Sequence, residues 1–120
     1  MKRWLLILMV IALSLLTVSP ALAQEDMGCT HADPTIAALR DCVVHAREMG
    51  HIDSDQIAQS LLKKLDQAQA SLKSGKVSNA IGKLGGFIEQ VQEQAGNHID
   101  PMHAEHLIEH AQMVIAALGG

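Results

Sequence analysis

Histidine is the side chain in this sequence best placed to do chemistry. There are seven in 120 residues, and four fall between His98 and His110. His103, His106 and His110, in the run HAEHLIEH, recur at steps of three and four, so on a helix they share one face. Two or three imidazoles on such a face can hold zinc, copper or nickel, and a thioether nearby, here Met113, favours copper(I). The order is not the His-Glu-x-x-His of zincin hydrolases. His106-Leu107-Ile108-Glu109-His110 does match the inverted order, but five residues in a histidine-rich chain match it easily. The plainer reading is a polar rim of histidines beside an apolar stripe, with metal binding as the alternative. His51 and His98 precede two helix starts and are expected to serve the local backbone.

Little else suggests catalysis. Asp53, Asp55, Glu89, Glu93 and Glu105 lie at helix starts or on polar faces without an evident acid–base partner, and no Ser or Cys is placed beside a His as a nucleophile. Lys63, Lys64, Lys73, Lys76 and Lys83 read as a solvated face. The expected class is therefore non-enzymatic, with no required cofactor.

Two cysteines, Cys29 and Cys42, span 14 residues counted with themselves. Their spacing is not the Cys-x-x-Cys of a redox centre, and Asp26-Met27-Gly28 is a poor lipobox. In an oxidising compartment an even count favours a disulfide, which in the chain-entropy model contributes about 3 kcal/mol for a loop of this size.

The elements that must position these residues are helices. Ala58, Leu61, Leu65, Ala68 and Leu72 form one apolar stripe, and Val77, Ile81, Leu84, Ile88 and Val91 a second, with Gly75 between them. Ahead of this hairpin, Asp33-Pro34 opens a helix with Asp33 as cap. Its stripe is Ile36, Leu39, Val43 and Ala46, and Gly50 ends it. Asp53 with Gln56 has the form of a capping box, flanked by Ile52 and Ile57 as a hydrophobic staple. After Gly96, Asp100-Pro101 opens a fourth helix with Ala104, Ile108, Ala111, Ile115 and Leu118 inward, widened by Leu107 and Val114. Gly82, Gly85 and Gly86 gather on one flank of the third helix and Phe87 on the other. Such a flank admits a close neighbour, either the first helix or a second copy of the chain. His51-Ile52-Asp53 and His98-Ile99-Asp100 form a faint repeat, each after a helix-ending glycine. No β-alternation occurs, so the expected fold is all-α, a small up-and-down bundle of four helices.

The first 23 residues read as a cleaved signal peptide. MKRW is basic, Leu5 to Val18 is apolar, and Ala21-Leu22-Ala23 is a small-x-small cleavage site. Removing 23 of 120 residues leaves 97, a tail over 24–32 and one domain over 33–120. Lys2 and Arg3 leave too, so the net charge goes from −4 to −6 with histidine neutral. An acidic exported domain argues against nucleic acid and against a membrane surface after cleavage. With Trp4 removed, Phe87 is the sole aromatic among Phe, Trp and Tyr, so aromatic platforms for sugars or bases are excluded.

The series Leu61-Leu62-x-x-Leu65-Asp66-x-Ala68, Leu72-x-x-Gly75, Ala80-x-x-x-Leu84-x-x-Phe87-Ile88-x-x-Val91, Gly96, Ile99 and Ala104-x-x-Leu107-Ile108-x-x-Ala111 resembles the FIMAH-type domain of secreted bacterial proteins. The resemblance runs from about Ile52 to Leu118 and leaves the cysteine-bearing first helix outside. It implies a structural or interaction module, periplasmic or extracellular, and carries no catalytic residues to transfer. The expected function is contact with a protein partner, or self-association, through the glycine flank or the histidine rim. The alternative is a periplasmic metal-binding protein. A carrier of an apolar ligand inside the bundle is a third reading.

Overall fold

The computed structural model describes residues 33–120. The leader, the tail and Cys29 lie outside the described residues. Four helices follow in order: α1 over Ile36–Glu48, α2 over Asp55–Lys73, α3 over Val77–Gln94 and α4 over Pro101–Ala117. Each helix packs on its two neighbours around a ring, α1 on α2, α2 on α3, α3 on α4 and α4 back on α1, and the backbones of the diagonal pairs stay more than 8 Å apart, Cα to Cα. Short connections make this an up-and-down all-α bundle, as the periodicities require.

The caps follow ordinary helix chemistry, with two shifts from expectation. Asp33 does not cap α1. Thr35 does, its Oγ1 accepting from the Ala38 N–H at 3.1 Å, so Pro34 stands one residue before the cap. At α2 the cap is Ser54, whose Oγ accepts from the Ile57 N–H at 3.3 Å. Asp53, one residue earlier, is released for another use, and the capping box with Gln56 does not form in the expected register. Asp100 caps α4 and Pro101 occupies its first position, as read. Gly50 and Gly75 take positive φ, 83° and 74°, the left-handed geometry that lets the chain reverse after a helix. At Gly75 the turn closes with the Lys76 N–H on the Ser71 carbonyl at 2.8 Å.

The core is one cluster fed by all four helices. Ile36, Leu39, Val43 and Ala46 are buried as expected, with Cys42 beside them. On α2, Ala58, Leu61, Leu65 and Ala68 are buried and Leu72 packs at the edge. On α3 the inward line is Ala80, Leu84, Phe87 and Val91. Val77, expected inward, is 41% exposed, while Ile81 and Ile88 are only partly buried. Phe87, expected on a flank, is fully buried and is the largest such side chain. Burying the domain's one phenyl ring gains about 2–3 kcal/mol, enough to rotate α3 so that the ring points inward. The glycines turn away as a result. On α4 the buried line is Ala104, Leu107, Ala111 and Val114.

The two connections at one end of the bundle dock on each other. Ile52 and Ile99 face each other in an antiparallel bridge. The Asp53 N–H donates to the His98 carbonyl at 3.0 Å, and the Asp100 N–H donates to the His51 carbonyl at 2.8 Å. The His-Ile-Asp repeat of the sequence is thus a reciprocal pair of loops, with both isoleucines sealed into the core.

Candidate functional site

Three places gather the residues of chemical interest. The first is the docked loop end, where a surface hollow of about 220 Å³ is lined in part by His51, Asp53, His98 and Asp100. The His98 Nδ1–H donates to Asp53 Oδ1 at 2.8 Å, across the two loops. His103 Nδ1–H donates to Asp100 Oδ2 at 2.9 Å, and its backbone N–H donates to the same oxygen at 3.3 Å. That ring hydrogen bond holds the Asp100 carboxyl below its ordinary value of 3.8, with the backbone N–H assisting. The His51 ring stacks on that of His103 with centroids 3.5 Å apart, and His106 meets His103 edge-on at 6.1 Å. The loop end is therefore held by backbone bonds, two His–Asp contacts and one ring stack. The His51 and His98 rings, expected to serve the local backbone, instead meet the His103 ring and the Asp53 carboxylate; only their main-chain carbonyls take the cross-loop bonds. Sequence reasoning missed the pairing of His98 with Asp53, which spans 45 positions; the repeat was its one visible trace.

The second place is the α1–α4 seam. His110 is not part of a rim; it is 1% exposed. Its Nε2–H donates to the Asp33 carbonyl at 2.7 Å, and its Nδ1 lies 3.5 Å from the Cys42 sulfur. A buried polar ring needs a partner, and here Nε2–H finds it in the start of the domain while the Nδ1 edge packs against the Cys42 sulfur of α1. His103 and His106 are neighbours, while His110 is turned inward by its partners. Met113 lies on the outer side, 41% exposed. The proposed metal quartet is thus dispersed, and no group of three or more His, Cys, Asp or Glu able to hold a metal occurs among the described residues.

The third place is the surface of α3 and α4. A side chain added at Gly82 or Gly85 would meet nothing within 4 Å, and one at Gly86 would meet only Lys64 Cε, at 3.9 Å. The glycine flank is not a seat for α1, whose backbone nowhere comes within 8 Å of that of α3, Cα to Cα. It is open, and Gly86 borders a shallow hollow with Lys64 and Gln90. On α4, Met102 is 63% and Met113 41% exposed. They stand eleven positions apart, three turns, so they lie on one line about 16 Å long. Glu105, His106 and Glu109 are exposed between them.

No helix among the described residues is long and apolar enough to cross a membrane. Comparison with curated proteins and with solved structures gives no match. The FIMAH domain family matches residues 36–116. The match takes in α1 as well, which the residue-by-residue resemblance had left outside, and it follows that the closing helix of the ring is part of the family's unit. This chain belongs to the FIMAH domain family.

Proposed function

We propose that this protein is a non-enzymatic, exported interaction module that meets its partner on the outer face of α4. The observation that carries this is the exposure of Met102 and Met113 on one line of that helix. Ala116 and Ala117 are exposed further along it. The outer faces of α1 and α2 are predominantly charged or amide-bearing, with a single exposed methionine, Met49, at the end of α1. Flexible, polarisable methionines held out in water suit a surface that adapts to another protein. Structural work occupies the histidines that might otherwise suggest catalysis. His98 and His103 hold the loop end through Asp53 and Asp100, and His110 holds the seam.

Export rests on the basic start, the apolar run and the Ala21-Leu22-Ala23 site. In the oxidising space this implies, Cys42 pairs with Cys29, which ties the tail to α1 next to His110. A photoreactive residue at Met113 in the protein expressed in its own host tests the reading. It should give one adduct of discrete mass that the same probe at Gln67, on the outside of α2, does not give. Identical adduct patterns at both positions would sink the assignment.

A further inference from the structure

The chemistry of that face specifies the chemistry of its partner, an inference that rests on the assignment of α4 as the contact face. Exposed positions of α4 fall on one side of the helical wheel with Glu109 at their centre, Glu105 to one side and Met102, Met113 and His106 to the other. The helix contains no lysine or arginine, so neither glutamate has an i, i+4 cation beside it. Cations are found elsewhere. All five lysines of the domain belong to the α2–α3 hairpin and its turn. Both arginines of α1 are directed to α2, Arg40 to Asp66 at 2.9 Å and Arg47 to Asp55 at 2.8 Å. The outer face of α4 thus carries two methionines three turns apart with uncompensated negative charge between them.

From this juxtaposition we infer that the outer face of α4 docks a basic amphipathic helix, its apolar side on Met102 and Met113 and its lysines or arginines on Glu105 and Glu109. A line of about 16 Å accepts three turns of a partner helix, whose anchors would recur at i, i+4, i+7 and i+11. Charge complementarity sets the orientation and the encounter rate, and methionine contact supplies the apolar burial.

The test uses the full exported protein and a fluorescent synthetic helix of lysine and leucine, about five turns long, with a glutamate–leucine helix of equal length as control. Anisotropy titrations should show binding of the lysine–leucine helix only, weakened about tenfold or more when salt rises from about 0.05 to 0.5 M. Glu105→Lys with Glu109→Lys should weaken it at least about tenfold, and Met102→Ser with Met113→Ser several-fold. Glu89→Lys with Glu93→Lys makes the same change in net charge on α3 and should leave binding within about twofold. Equal loss from the α3 pair would mean attraction to net charge alone and would overturn the inference. So would equal binding of the glutamate–leucine helix, or a self-associated protein whose α4 face the peptide cannot enter. A discrete adduct at Met113 together with failure of the lysine–leucine helix would leave the contact face standing and discard only its partner's chemistry.

Discussion

Two residues do work that their types alone did not announce. His110 joins the beginning of the domain to its last helix, through the Asp33 carbonyl and the Cys42 sulfur. Replacing it with Ala removes a buried hydrogen bond and leaves a cavity, so stability should fall by about 2–3 kcal/mol. Urea titration would read this as a lower midpoint at unchanged slope; an unmoved midpoint would contradict the seam. Asp100 caps α4 and takes the His103 ring. Because its carboxyl is held below the usual 3.8, its contribution is complete above the unfolded-state value and is lost as pH falls through the lower folded one. Asp100→Asn should therefore be less stable than wild type at neutral pH, with the gap closing below about pH 4. Melting curves from neutral to acid pH would show it, and a gap that widens with acid would refute it. In the sequence, His110 looked like one of three rim histidines because i, i+3 and i+4 spacing fixes a shared side of the helix but not how far that side turns inward. The ring of Cys42, Asp33 and α4 closes across 68 and 77 positions, a distance at which local pattern is silent.

Among the elements, the helix boundaries were the most legible part. Gly50, Gly75 and Gly96 ended helices where their freedom at positive φ was wanted, and Asp100-Pro101 opened one. The caps at Thr35 and Ser54 were each displaced by one or two residues, because Asp, Ser and Thr compete for the same role and the neighbouring loop decides. Asp53 was drawn off by His98. The phase of α3 was misread because Val77, Ile81 and Ile88 are as apolar as Leu84 and Val91, and periodicity gives the line without its centre. Phe87 fixed the centre. Phe87→Ala should therefore cost about 3–5 kcal/mol, enough to lower the melting midpoint of so small a domain by well over 10 °C. Gly82 and Gly85 give the opposite sign. Each faces open space in a regular helix, so Gly85→Ala should raise stability by up to about 1 kcal/mol. A loss on adding that methyl group would mean that something covers the flank in solution.

At the scale of the molecule, the fold follows from four amphipathic helices joined by short connections, and the family match over residues 36–116 agrees with it. Function was less legible, since the positions carrying the resemblance are core residues and glycines that say how the chain packs. The dispersal of His103, His106, His110 and Met113 sets an expectation for metal. Chelator should leave the melting midpoint in place, and added zinc, copper or nickel should move it by less than about 1 °C, whereas saturation of a real site would add about 2.7 kcal/mol. The most direct test of the contact face is amide chemical-shift mapping of the labelled protein, titrated with the partner recovered through the Met113 adduct. The account predicts that the largest changes fall at Met102, Glu105, His106, Glu109 and Met113, with the glycine flank of α3 unmoved. Changes centred on Gly82, Gly85 and Gly86 would contradict it.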